Sequence, residues 1–335
     1  MPFPSHTTVR SASLNGYVAL AQDVGLDAHD MLRRAGLHAR MLANPETPIG
    51  TQVVSRLLAD SAKASGVGDF GLRLAARRGL SNLGPVSLVL RGAPTVREAL
   101  DSLCRYLRLL NTALVTQVEE QGGVVRISED LLPHTGDTPE QAMQLAVGVM
   151  VRILQALLGA DWRPLGACFK QAQPPQPDAF TGFFHCPVAF GAPFNGLLCR
   201  AVDLEQPPQE PQPHLAAFAR HVLDGAMQQE ANSTPVTVRQ LVTVLLPSGR
   251  CTAQLVAQHL GVDRRTLHRY LGQGGTRFSV VLQQVRLDMA HHQLRHSQRP
   301  LSEVAALLGF RAPSAFSDWF RRSTGGSARA YRQQP

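Results

Sequence analysis

"LVAQHLGVDRRTLHRYLG", residues 255–272, is the stretch that decides how the C-terminal third of this chain folds. Leu255, Val256 and Leu260 recur at helical spacing and give a first helix one apolar face, with Ala257 small enough for a close helix crossing. Gly261 follows where a helix can end in the left-handed conformation. Asp263 is a good N-cap for a second helix, and Val262 and Leu267 stand at the two positions of a hydrophobic staple. Leu267, Tyr270 and Leu271 then form the stripe that a core would bury. The remaining stripe is basic: Arg265, His268 and Arg269, with Arg264 beside them.

The pattern occurs twice. "VAQHLGV" (256–262) returns as "VAALLGF" (304–310), with Gly261 and Gly309 48 positions apart. In the second copy, "PLSEVAALLGFRAPSAFSDWFRR" (300–322), the turn is one residue longer, and Pro313 fits the first turn of the next helix. Phe316, Trp319 and Phe320 are expected inside, and Ser314, Ser317, Asp318 and Arg321 outside. Between the copies, "TRFSVVLQQVRLDMAHHQLRHS" (276–297) reads as one amphipathic helix. At 1.5 Å per residue such a rod is ~30 Å long. One DNA turn is about 34 Å, so the rod suits two recognition helices in successive major grooves. Arginine on such a helix grips guanine O6 and N7 in a bidentate contact or holds phosphates.

Bulk composition agrees. The chain has 335 residues, 44% hydrophobic and 17% charged, which is ordinary globular composition at a length that favours two domains. Residues 236–335 carry fourteen Arg, no Lys and four acids, net +10, whereas the rest sums to −2. A preference for Arg over Lys across the chain does not explain why acids are scarce only there. That asymmetry points to a polyanion, most simply nucleic acid or an anionic membrane. Two copies of the pattern in the only basic domain are far more specific than one.

The other chemistries find little support. The five cysteines (Cys104, Cys168, Cys186, Cys199, Cys251) are scattered without metal spacing and are expected to be reduced, mostly buried thiols, so no metal and no cofactor are expected. No nucleophile elbow, HExxH, phosphate loop or dinucleotide fingerprint occurs, so no enzyme is expected. His185 and Cys186 are adjacent, and in a strand they would point to opposite faces. The opening "MPFPSHTTVRSASLNG" has no apolar core of a signal peptide, and the apolar run at 142–160 is broken by Gln144, Arg152 and Gln155. A buried or interface helix is expected there, in a cytoplasmic protein with no membrane partner.

Upstream, 51–64 and 95–111 show helical spacing, and "ALVTQVEEQGGVVRISED" (113–130) alternates on both sides of Gly122-Gly123, as a hairpin does. Residues 166–170 and 188–202 read as further strands. Pro207, Pro208, Pro211 and Pro213 crowd into a segment that suggests a stiff connector. The expected organisation is an α+β domain over 1–205, a Pro-rich connector with a short helix over 206–235, and an all-α domain over 236–335 with two helix-turn-helix motifs joined by a linker helix. Arg73, Arg105 and Tyr106 are candidates to anchor a ligand carboxylate, against the simpler alternative that they pair with acids inside the domain.

Residues 245–335 resemble the AraC family of bacterial transcription regulators. The resemblance rests on "VAQHLGVDRRTLHRYL", on Arg286, Leu287, Ala290 and Leu294 of the middle helix, and on Gly309-Phe310, Thr324-Gly325 and Tyr331-Arg332. Most of 30–207 is similar to a subgroup resembling the regulators of ornithine and arginine use. The resemblance implies base contacts by Arg265, His268 and Arg269 in the first motif and by Pro313, Ser314, Ser317 and Asp318 in the second. The family usually has Arg where this chain has Asp318. Arg264 and Arg322 are expected to hold phosphates, and Thr266 and Arg321 complete the expected DNA-binding set. Implied partners are double-stranded DNA, RNA polymerase and a small-molecule effector of unknown identity and site, with the chain a homodimeric activator. The alternative is an N-terminal domain that only dimerises or contacts a protein partner. "DSLCRYLRLL" (101–110) and the 142–160 helix are candidate dimer faces. DNA-repair methyltransferases share this type of DNA-binding domain, but the cysteine spacing here does not match their zinc site.

Overall fold

Alternation on both sides of Gly122-Gly123 builds the sheet at the centre of the first half of the chain. In the computed structural model, which describes residues 7–132, 139–230, 235–249, 251–260, 262–297 and 299–332, both glycines have positive φ, 59° and 78°. Such a pair forms the two-residue turn whose twist matches that of its strands. The chain folds as two compact units, 1–228 and 229–335.

The first unit opens on β1 (Thr8–Arg10), which pairs antiparallel with β2 (Pro48–Gly50). The helices α1 (Tyr17–Asp23) and α2 (Ala28–Arg34) lie between them in sequence. Then come α3 (Thr51–Ser65), α4 (Phe70–Ala76), α5 (Pro85–Arg91) and α6 (Val96–Leu110). The hairpin is β3 (Leu114–Gln121) and β4 (Val124–Leu131), followed by α7 (Glu140–Leu158). The sheet is completed by β5 (Gly166–Cys168), β6 (Val188–Ala189) and β7 (Asn195–Arg200), with α8 (Asp178–Phe184) between β5 and β6 in sequence, after which α9 (Ala201–Leu204) and α10 (Pro213–Glu230) follow. Strand order is β3-β4-β7-β5-β6, and only the β5–β6 pair is parallel. The unit is a mixed α+β structure.

The apolar run at 142–160 becomes α7, long and apolar enough to cross a membrane by length and composition. Its side chains instead fill the core: Val147, Val151, Leu154 and Leu157 are fully buried, together with Val125, Ile127 and Leu197 of the sheet. Its polar residues have tertiary work. The Gly71 amide donates to Gln141 Oε1 (2.8 Å), and Gln141 Nε2 donates to the Gly68 carbonyl (2.8 Å), which ties α7 to the start of α4. α6 is capped by Thr95, whose hydroxyl accepts from the Glu98 amide, and it buries Val96, Leu100, Leu103 and Leu107. α6 and α7 thus turn their apolar faces to this core.

The Pro-rich segment differs from the stiff connector expected over 206–235. The Gln209 amide donates to the Leu157 carbonyl (2.7 Å), and Glu210 pairs with Arg91 (2.7 Å). α10 then buries Ala219, Leu223 and Met227 in the first unit's core. Residues 207–227 are therefore part of the first unit, and the division falls at 228/229, not 205. Prolines carry no N–H, so such a segment can lie against a surface with few backbone donors to satisfy.

The second unit is helical throughout its described residues: α11 (Pro235–Leu245), α12 (Ala253–His259), α13 (Arg264–Gln273), α14 (Phe278–His296), α15 (Leu301–Leu307), α16 (Pro313–Thr324) and α17 (Ala328–Arg332). The repeat in sequence is a repeat in structure, with α12 and α15 both seven residues long and each followed by a longer helix. Gly309 is required twice over. Its φ is +72°, and a Cβ there would stand 2.9 Å from the Leu246 carbonyl. Gly261, the corresponding turn residue of the first copy, lies outside the described residues.

Candidate nucleic-acid interface

The exposed face of α13 is built by its cap and its buried stripe. Asp263 accepts from the Thr266 amide at 2.7 Å, and that hydrogen bond holds its carboxyl below the usual range. Leu267 and Leu271 are buried, while Tyr270 is only half-buried. The Arg269 guanidinium lies over its ring, 5.4 Å from the centroid. Arg264, Arg265, His268 and Arg269 are exposed, and Thr266 is half-buried beside them. Arg264 Nε reaches toward His268 Nε2 at 3.5 Å. None of these four basic side chains pairs with an acid among the described residues, whereas most arginines of the first unit that form ion pairs do so at 3.0 Å or less. Charge on one helix face with no acid partner leaves most of its donors open to an anionic ligand.

α16 presents a weaker version. Pro313 opens it, and Phe316, Trp319 and Phe320 are buried as the spacing predicts. Pro313, Ser314, Asp318, Arg321 and Arg322 are exposed and Ser317 is half-buried. Two of these groups are turned onto their own helix: Ser317 Oγ donates to the Pro313 carbonyl (3.0 Å) and Arg322 Nε to the Asp318 carbonyl (3.3 Å).

α14 braces the second helix pair and its neighbours α11 and α17. Arg286 Nε donates to the Leu308 carbonyl (3.2 Å), and its guanidinium covers the Phe310 ring at 4.9 Å. This closes the end of α15. Trp319 Nε1 donates to Gln283 Oε1 (2.6 Å), which ties α16 to α14. Arg239 of α11 pairs with Asp288, and His291 stacks on Tyr331 of α17 at 4.6 Å. The sequence marks Arg286, Phe310 and Tyr331 are thus braces of the scaffold. One residue escaped the sequence reading altogether. His259 at the end of α12 is buried, its Nε2 has no partner among the described residues, and burial pushes its pKa down to about 4.

In the first unit, the candidate carboxylate anchors are already engaged. Arg73 pairs with Asp69 (3.0 Å), Arg105 with Asp224 (2.9 Å), and Tyr106 donates its hydroxyl to Asp224 (2.7 Å). His185 lies not in a strand but at the end of α8, with φ 51°. Burial pushes the Cys186 thiol up to about 11 and those of Cys104, Cys199 and Cys251 to about 12, so none is poised as a thiolate nucleophile. The unit does enclose a cavity between α3, α6, α7 and β4, lined by Val54, Leu103, Met150 and Glu129 among others.

Known proteins share both halves. A family model described as the arabinose-binding domain of AraC transcription regulator, N-terminal, matches residues 25–208, and a helix-turn-helix domain model matches 256–334. The chain is 28% identical over 326 residues to the HTH-type transcriptional regulator VirS of Mycobacterium tuberculosis, covering 97% of this chain and 96% of that protein. It is 23% identical over 320 residues to the ornithine utilization regulator of Pseudomonas aeruginosa, covering 94% of each. The crystal structure of the transcriptional regulator CdpR from Pseudomonas aeruginosa matches 91% of this chain and 96% of that chain, at 22% identity and a TM-score of 0.44.

Proposed function

The chain belongs to the AraC family of DNA-binding transcription regulators, and from that premise we propose that it is a sequence-specific, effector-controlled activator. The observation that carries the reading is the exposed, unpaired basic face of α13. In this reading α12–α13 and α15–α16 act as two helix-turn-helix motifs, and α14 is the linker helix that spaces them. Arg265, His268 and Arg269 read base edges in the major groove, with Thr266 at the margin, and Arg264 holds phosphate. α16 contributes less. Arg321 and Arg322 hold backbone, Pro313, Ser314 and Ser317 give shape, and Asp318 repels phosphate but can accept from cytosine N4.

The first unit, about 1–228, is read as the effector-sensing and dimerising part. A ligand that binds one of two arrangements more tightly shifts the chain toward that arrangement, and so changes DNA occupancy or contact with RNA polymerase. α10 supports self-association. Leu215, Phe218 and Val222 are 51%, 69% and 45% exposed along one face, flanking the residues it buries. Acting on chromosomal DNA, the protein works in the cytoplasm.

Selection of bound fragments from random DNA with the full chain, followed by affinity measurements across salt, tests this. The expected result is one preferred site with two half-motifs about one helical turn apart, bound far above a scrambled control. Equal affinity for both DNAs with a steep salt slope would reduce the second unit to a polyanion clamp and overturn the reading. Transcription from a promoter bearing that site should rise with the protein present. A fall would make it a repressor.

A further inference from the structure

We propose that the cavity of the first unit binds a small organic acid, its carboxylate on Arg78 and its apolar body among the side chains of α3, α6 and α7. This rests on the reading that the first unit senses an effector, and it names the chemical class.

Three buried polar atoms on the cavity wall have no partner among the described residues: Arg78 Nε, Ser13 Oγ and Glu129 Oε2. Arg78 and Ser13 belong together, because the Arg78 guanidinium donates to the Ser13 carbonyl at 3.1 Å. Arg10 also lines that wall, but its charge is met by Glu46. Arg78 has no acid. Burial, and then repulsion from Arg10, lower its pKa to about 10, which still leaves it charged at neutral pH. A desolvated guanidinium without a counter-ion is costly, and an incoming carboxylate relieves that cost with charge-assisted hydrogen bonds. The Ser13 hydroxyl is a second donor for the same head group.

Glu129 is a further polar group on the wall. Only 2% exposed on β4, it accepts from the Thr116 hydroxyl at 3.4 Å through one oxygen and leaves the other without a partner among the described residues. Burial raises its pKa to about 7, with Thr116 opposing the rise and Asp130 adding to it. A half-protonated carboxyl can donate to a hydroxyl or keto oxygen, or accept from an amine.

Much of the remaining wall is aliphatic, with Leu58, Leu103, Leu107, Leu145, Val149 and Ile153 on three helices. That stretch suits an alkyl or aryl body. The room left for the centre of a water-sized sphere is about 120 Å³. That is near the scale of a cavity that accepts benzene, so the ligand is expected to have about six to ten heavy atoms.

The test uses the full chain and its unaltered sequence first. Calorimetry and thermal unfolding are run with butanoate, hexanoate, octanoate and phenylacetate, with hexan-1-ol and L-arabinose as controls. The expected result is that at least one acid binds, and at least ten-fold more tightly than hexan-1-ol. Arg78→Met should abolish that preference and Arg78→Lys should retain part of it, while the acid–alcohol comparison on the unaltered chain stands whether or not a variant folds. Hexan-1-ol binding as well as the acids, arabinose binding in their place, or no acid binding to a chain that still selects its DNA site would each overturn the proposal. The last of these leaves DNA recognition intact. An acid that binds without changing DNA occupancy or transcription would uphold the site and sink the effector reading instead.

Discussion

Two arginines of the second unit test what kind of contact each motif makes. Arg269 on α13 is exposed, carries no acid partner, and is oriented by the Tyr270 ring beneath it. If it reads a base edge, Arg269→Ala should cost about 1–3 kcal/mol on the preferred site and relax the sequence at one or two positions. Repeating the site selection with the variant shows this directly, and equal loss on all sequences would reassign Arg269 to the backbone. Arg322 on α16 is turned onto the Asp318 carbonyl, and in the proposed reading it holds phosphate. Arg322→Ala should weaken every DNA alike and reduce the slope of log K against log salt by about 0.9. Asp318 opposes the positive charge of Arg321 and Arg322 on the same helix. Asp318→Asn should raise affinity for unrelated DNA at low salt, and no rise would place that helix away from phosphate.

At the scale of elements, the packing of α15 on its neighbours hinges on Gly309. An alanine there must adopt φ near +72° and bring its Cβ to 2.9 Å from the Leu246 carbonyl. The left-handed residue alone costs about 1–3 kcal/mol, and the clash adds to it. Gly309→Ala should therefore lower the unfolding midpoint of the second unit while leaving the first unchanged, which calorimetry on the full chain resolves. The helix pairs were legible in the sequence because their code is local: a glycine, a cap and an apolar stripe within twenty residues. The hairpin at Gly122-Gly123 was legible for the same reason. What the sequence hid is tertiary. The prolines at 207–213 read as a spacer because nothing local shows that the Gln209 amide meets the Leu157 carbonyl. β1 and β2 are three residues each, too short to leave a period. The cavity draws its wall from segments more than a hundred residues apart, so Arg78, Ser13 and Glu129 look unrelated along the chain. Arg105 and Tyr106 drew attention instead, and both were already taken by Asp224.

At the scale of the whole molecule, the two units should respond to pH in opposite directions. Glu129 titrates near 7 in the folded chain against about 4.5 for the free group, so between those values the folded first unit holds the extra proton. Its contribution to stability is fully present below pH 4.5 and is lost as pH rises through 7, on the order of 3 kcal/mol in all. His259 is the mirror case. Its pKa falls to about 4 from 6.5, so between those values the unfolded second unit holds the extra proton. That contribution is present above pH 6.5 and is lost as pH falls through 4, again on the order of 3 kcal/mol. Raising the pH from 5 to 7 should therefore lower the first unit's transition and raise the second's in scanning calorimetry of the full chain. Many exposed carboxylates also titrate, so the difference between variant and parent is the decisive quantity. Glu129→Gln should flatten the first dependence and leave the second, and His259→Gln should do the reverse. If both transitions moved together in each variant, the division at 228/229 would not be a division of cooperativity. A signal arising in one unit would then be felt as stability throughout the other.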